Sequence, residues 1–236
     1  YVHVGTGNYH AKTARLYEDF GLFTTNRQFA GDVAALFNVL TGAARPAGYQ
    51  KALVAPEGMR TGLLEQIEQT VQAHRDGREA RIILKMNSLV DRRCIKALYE
   101  ASQAGVQVDI NVRGICCLRP GVPGVSDNIR VVSVVGRFLE HCRVYLFQRG
   151  EEHRAFMGSA DLMPRNLDTR VELLMPVESP PLLAEVEDTL ERCLADDTFA
   201  WDLDQDGEWT RRTGRTRSVH QELMARALER AGDGSD

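Results

Sequence analysis

His141 and Arg143 stand two positions apart in the apolar run FLEHCRVYLF (138–147), and their types suit phosphoryl chemistry. Imidazole titrates at about 6.5, so near neutrality it can attack a phosphorus atom or pass a proton. A guanidinium fork grips phosphate or carboxylate oxygens two at a time. The same stretch continues into Gly158-Ser159-Ala160-Asp161 and then Arg165-Asn166-Leu167-Asp168-x-Arg170, while Gly5-Thr6-Gly7-Asn8 lies near the start and Arg113-Gly114 follows an apolar run. Short hydroxyl and amide side chains at glycine turns, with the backbone N–H groups beside them, can hold phosphoryl oxygens. Between Arg113 and Arg170 there are nine arginines and no lysine against six acids. That segment carries +3 in a chain of net charge −4, so the remainder carries −7. An arginine-only basic segment in an acidic chain points to a phosphate or carboxylate site; the plain alternative is a set of solvated surface arginines.

Strand alternation sends His141, Arg143 and Tyr145 to one face and Cys142, Val144 and Leu146 to the other, the second set reading as core. Strands are predicted at Arg81–Met86, Val106–Val112, Ile129–Val135, Arg143–Phe147, Arg154–Gly158 and Arg170–Val177. Helical spacing predicts helices over Asn26–Leu40 and Glu57–His74, from an Asp91 cap to Gln103 with Gly105 just beyond, over Leu182–Leu194, and over Val219–Ala231. Arg113-Gly114 falls at the C-terminal end of a strand, where ligands of open α/β sheets bind. Gly42–Gly48, with Pro46, reads as a linker. Strand–helix–strand order followed by several strands argues for an α/β fold with a mixed sheet.

The composition sets the wider frame. At 236 residues, 43% hydrophobic and 26% charged, the chain has room for one large domain or a domain plus part of another. The absence of a long apolar run argues against a membrane span, and the net charge gives no general surface for nucleic acid. Five cysteines, Cys116 and Cys117 adjacent, show no bridge or metal spacing and read as free thiols of a reducing cytoplasm. The chain opens without methionine on what reads as the end of a strand, Tyr1–Val4, as a fragment would.

The two Gly-Ser/Thr-x-Asn/Asp turns, one of them after a His-x-Arg strand, resemble the phospholipase D superfamily, whose half-motif is His-x-Lys followed by a Gly-Ser-x-Asn turn. Here Arg143 replaces the lysine, Gln148 stands where an aspartate would fall, and Asp161 takes the asparagine position. HVGTGNYHAKTARLYEDFGLFT (3–24), LKMNSLVD (84–91), VRGICCLRPGVPGVSDNIRV (112–131), GRFLEHCRVYLF (136–147) and GSADLMPRNLDTRVELLMPV (158–177) are more specifically similar to the C-terminal half of bacterial polyphosphate kinases.

That resemblance implies a phospholipase-D-like mixed sheet flanked by helices. Residues 1–45 would end a preceding similar domain, 46–200 would form the second, and 201–236 would be a tail. It implies reversible transfer of the ATP terminal phosphate to inorganic polyphosphate through a phosphohistidine. Tyr17, Arg113 and His141 match nucleotide-contacting positions, with His141 also catalytic, by proton transfer or charge stabilisation. Arg143, Arg170, Asn8, Ser159 and Asn166 fall where phosphate contacts are expected. The phosphorylated histidine lies upstream of the GTGN turn, outside this chain, and neither His3 nor His10 replaces it. This fragment is therefore expected to be inactive alone. Magnesium is implied through ligands outside the chain, ATP/ADP and polyphosphate as partners, no metal ligand within it, and a cytoplasmic homo-oligomer with membrane association left open. The competing readings are a phospholipase-D-like phosphodiesterase and a non-catalytic polyanion-binding module.

Overall fold

A computed structural model describes residues 1–43 and 48–233. Residues 44–47 of the expected linker lie outside the described residues. A nine-stranded mixed sheet forms the centre, built in chain order from β4 (Leu53–Ala55), β5 (Ala80–Met86), β6 (Gln107–Val112), β7 (Ile129–Val134), β9 (Arg143–Arg149), β10 (Glu152–Gly158), β11 (Glu172–Val177), β12 (Ala200–Leu203) and β13 (Trp209–Arg211). Across the sheet the order is β13-β12-β7-β6-β5-β9-β10-β11-β4, with β5, β6 and β7 parallel and the other pairs antiparallel. The expected mixed sheet flanked by helices is present.

Helices cover both faces, so its central strands are apolar on both sides. Ile82, Leu84, Tyr145 and Phe147 join Leu63 and Ile67 of α2 (Met59–Arg75) and Leu98 of α3 (Arg92–Gln103) in one core. On the opposite face Ile83, Val144 and Leu146 meet Val186 and Leu190 of α4 (Pro180–Ala195) and Val219 of α5 (Val219–Asp233). The parallel β5–α3–β6 crossover begins where Asp91 caps α3, its carboxylate accepting from the Arg93 and Cys94 N–H groups at 3.1 and 3.0 Å. It ends at Gly105, whose φ of +99° lies in the left-handed region that favours glycine.

The N-terminal segment adds β1 (Val2–Gly5) and β3 (Gly21–Thr24), paired antiparallel, and α1 (Arg27–Leu40). Val2, Val4, Leu22, Phe29 and Leu36 pack into the same core as α4 and α5. A short parallel pair joins this segment to the large sheet's layer: β2 (Tyr17–Glu18) against β8 (Leu139–Glu140).

Three features differ from the sequence reading. The run 138–147 is not one strand: it breaks at His141 and Cys142, between β8 and β9. Tyr145 does not join His141 and Arg143; it is fully buried, and its hydroxyl donates to the Ala160 carbonyl at 2.6 Å. Residues after 200, expected as a tail, instead add β12 and β13 to the sheet and lay α5 against α4.

Candidate active site

The break between β8 and β9 lets the His141 ring leave the sheet while its backbone stays fastened. The His141 and Cys142 N–H groups donate to the Glu18 carbonyl at 3.3 and 3.1 Å, and Leu139 N–H donates to the Leu16 carbonyl at 2.8 Å. Nδ1 of His141 lies 2.9 and 3.1 Å from the two carboxylate oxygens of Asp19. A carboxylate only accepts, so Nδ1 carries a hydrogen, and in the neutral ring Nε2 then holds the lone pair. The Tyr17 ring lies beside the imidazole, centroids 4.9 Å apart and planes 40° apart. With a side chain 13% exposed, His141 is sheltered but reachable.

Asp19 is itself held by the first glycine turn. The Thr6 hydroxyl donates to it at 2.7 Å and accepts from Phe20 N–H at 2.9 Å. Gly7 permits this approach, since a Cβ there would stand 2.2 Å from an Asp19 oxygen. The Gly5–Asn8 turn thus positions a carboxylate, and Asn8 at its end is exposed, with no side-chain hydrogen bond among the described residues.

Arg143 reaches across both glycine turns. Its Nε and Nη2 donate to Asp161 at 3.3 and 3.1 Å, and its Nη1 lies 2.8 Å from the His141 carbonyl, 3.0 Å from His141 Nε2 and 3.5 Å from the Thr6 carbonyl. Asp161 also accepts from the Asn87 and Ser88 N–H groups at 2.7 and 3.2 Å. Arginine for lysine and aspartate for asparagine, two of the three departures from the superfamily half-motif, therefore meet as one ion pair. Asp161 takes two of the Arg143 nitrogens, and the His141 carbonyl and imidazole take the third, so all three nitrogens of this guanidinium are engaged.

Arg113 leaves more of its fork free. Its Nε donates to Asn87 Oδ1 at 2.8 Å and to the Glu140 carbonyl at 3.1 Å. Its terminal Nη groups make no hydrogen bond among the described residues, and the residue is exposed. Asn87 connects the two sides, since its amide also donates to the His141 carbonyl at 3.1 Å.

The remaining candidates lie apart from this cluster. Ser159 donates its hydroxyl, and Asn166 its amide at 2.5 Å, to the buried Glu172 carboxylate. Phosphate contacts from these two would require those bonds to be exchanged. Asn166 Oδ1 is buried without a partner among the described residues. Arg170 is exposed at the end of the π-helical turn Arg165–Thr169, without a side-chain partner among the described residues and without a bond to the His141 cluster. The turn is moored by Arg60, which pairs with Asp168 at 2.5 Å and Asp91 at 2.9 Å. The Asp168 hydrogen bond, outweighing burial, keeps the Arg60 guanidinium charged well above its ordinary range.

Beneath the cluster lies a buried charge network absent from the sequence reading: Lys85, Glu18, Glu140 and His220. Asp19 and Asn87 were missed as well. Asp19 sits two residues after Tyr17 in LYEDF, so an acid beside a candidate nucleotide contact was the available signal.

Among the described residues no three His, Cys, Asp or Glu side chains are placed to hold a metal ion. The magnesium implied by the resemblance thus has no ligand set there, and its chemistry is not assigned to these residues.

Comparison with known proteins decides the family. The model for polyphosphate kinase C-terminal domain 2 matches residues 52–222, and that for C-terminal domain 1 matches residues 1–46. The chain belongs to the polyphosphate kinase family. It is 51% identical over 233 residues to the polyphosphate kinase of Thermosynechococcus vestitus, covering 97% of this chain and 32% of that protein. Against the Streptomyces coelicolor polyphosphate kinase it is 54% identical over 211 residues, 89% of this chain and 28% of the relative. The crystal structure of polyphosphate kinase from Porphyromonas gingivalis superposes with a TM-score of 0.91 at 37% identity, covering 99% of this chain and 36% of that one. The chain therefore spans about a third of the length of these relatives.

Proposed function

We propose that this chain supplies half of an active site that moves the terminal phosphate of ATP to and from inorganic polyphosphate. The arrangement of Arg113 beside His141 carries the reading. The Arg113 fork is pinned through Nε and open at both Nη groups, while Asp19 fixes the imidazole in the tautomer that leaves Nε2 able to take a proton. A phosphoryl group held by the Arg113 Nη donors would be served by Nε2, which takes the proton and, once protonated, donates to a phosphoryl oxygen.

In this reading the attacking histidine, phosphorylated in each turnover, comes from the upstream part of the parent enzyme. His141 passes a proton at the transferring group or stabilises charge there. Arg143, its Nη1 engaged by the His141 and Thr6 carbonyls, adds positive charge behind the equatorial oxygens, and Arg113 and the open Arg170 neutralise neighbouring phosphates. Tyr17 and Asp19 line a cleft of about 370 Å³ that also includes Asn8, a size within the range of small-molecule sites. The nucleotide is assigned to that side, with Tyr17 against its base or sugar. The parent is read as a cytoplasmic homo-oligomer using magnesium held outside this chain. Among the described residues no helix is long and apolar enough to cross a membrane.

The test is turnover by the parent enzyme with labelled ATP. Transfer of the terminal phosphate into acid-insoluble polymer, reversed by excess ADP, is the expected result. Hydrolysis of a phosphodiester without ATP, or tight polyphosphate binding without turnover, would replace this reading with one of its two competitors.

A further inference from the structure

Tyr17, Asp19 and His141 reach the site from two very short strands. Glu18 ends β2 and points inward, flanked by Tyr17 and, just past the strand, Asp19; Glu140 ends β8 and points inward, with His141 just past it. The two inward carboxylates converge on one cation. Nζ of Lys85 lies 3.0 Å from Glu18 Oε2 and 2.5 Å from Glu140 Oε2, and its side chain is 1% exposed. The second oxygen of each carboxylate is also occupied. Glu18 Oε1 accepts from the Cys142 thiol at 3.3 Å, and Glu140 Oε1 accepts from His220 Nε2 at 2.5 Å. His220 Nδ1 accepts from Phe138 N–H at 3.3 Å, so the ring is held as its neutral Nε2–H form. The Cys193 thiol, 3.7 Å from Glu140 Oε2, completes the groups facing the ammonium.

Lys85 shares a face of β5 with Ile83, at the middle of the sheet, where an apolar side chain would pack without cost. Burial alone would take the proton from the ammonium; the Glu140 and Glu18 carboxylates that face it at hydrogen-bond distance act the other way and keep Lys85 charged. Burial also pushes the Cys142 and Cys193 thiols up, so neither becomes a third anion. Without Lys85, the ladder between β2 and β8 would press two ionised carboxylates together out of water. Like charges so placed repel strongly, and a pair of two-residue strands has few bonds to resist them.

We propose that Lys85 is a positioning residue for His141: its buried ammonium, shared by Glu18 and Glu140, sets the register of β2 against β8 and with it the placement of His141 against Tyr17 and Asp19. The kinetic consequence rests on the phosphotransfer reading above; the structural one does not.

Two measurements test it. The first is amide hydrogen exchange in this chain, comparing wild type with Lys85→Met. The Leu139, His141 and Cys142 amides, which bond across β2 and β8, are expected to exchange at least tenfold faster, with Val144–Phe147 of β9 unchanged. The double variant Lys85→Met/Glu18→Gln, which removes one of the stranded charges, should return most of that protection. Should Lys85→Met not fold, Lys85→Gln decides by the same readout, because its amide keeps a hydrogen-bond donor there but strands both carboxylate charges. Exchange that is unchanged, or raised equally along β9, overturns the proposal and leaves Lys85 as general core support. The second measurement is phosphate transfer by the parent enzyme, where kcat should fall at least tenfold in Lys85→Met and recover to within about threefold in the double variant. An unchanged kcat overturns the link to His141. A wild-type parent that transfers no phosphate overturns the functional reading alone, since the exchange result does not depend on the reaction.

Discussion

At the scale of single residues, the site depends on what each charged group is already holding. Asp19 fixes the His141 tautomer, and an asparagine there can turn its amide nitrogen toward Nδ1 instead. Asp19→Asn in the parent should lower kcat by about 10²-fold or more, as expected for loss of general acid–base alignment, with thermal stability moving by less than about 1 kcal/mol. A rate within twofold of wild type, measured by labelled-phosphate transfer, would remove Asp19 from the mechanism. Arg113→Lys keeps the charge and loses the fork, so the KM for ATP should rise about tenfold or more while the fold is unaffected. Much of this was legible before the structure: the ordered motifs brought Tyr17, Arg113, His141 and Arg143 forward together. What stayed hidden was the division of labour among donors. Pairing across 18 residues, as between Arg143 and Asp161, or across 122, as between His141 and Asp19, is set by topology and leaves no local mark.

At the scale of elements, Arg60 and Gly158 govern the approach of the Arg170 turn. Arg60 joins the α3 cap at Asp91 to Asp168 in the turn. Burial would raise the Asp91 carboxyl, but the Cys94 N–H and Arg60 outweigh it and hold the group below its ordinary 3.8. A depressed carboxylate adds stability that is present above the unfolded value and lost as pH falls through the folded one. Arg60→Ala should therefore destabilise the fold by about 1–3 kcal/mol at neutral pH and flatten the loss of stability below about pH 4, read by denaturant unfolding. Gly158 lets β10 lie against β11 so closely that a Cβ would stand 1.9 Å from the Leu173 carbonyl oxygen. Gly158→Ala should destabilise by about 3 kcal/mol or more, or prevent folding, and a melting temperature equal to wild type would contradict that packing. Long periodic elements were legible: α1, α3, β5 and β6 lie where their spacing predicts. The strands β2, β3, β4, β8, β12 and β13 were not, because segments of two to four residues carry too little period and take their partners from distant chain.

At the scale of the whole molecule, the N-terminal segment and the large sheet meet at the site and are joined there by buried charge. Burial would raise the Glu140 carboxyl, yet Lys85 and His220 hold it well below its ordinary 4.5. Its contribution is thus in force above that value and fades as pH drops through the folded one, while the raised Lys85 contributes until pH climbs past its own elevated value. Acid should therefore loosen the β2–β8 junction, an effect visible as faster amide exchange at 139–142 on lowering pH once intrinsic rates are corrected. The central claim is that His141 serves the transferring phosphate, and turnover of the parent enzyme carrying His141→Ala tests it most directly. The account predicts that transfer of labelled phosphate from ATP to polymer falls by about 10²–10⁴-fold while the variant stays folded. A folded His141→Ala enzyme that transfers phosphate at the wild-type rate would contradict it.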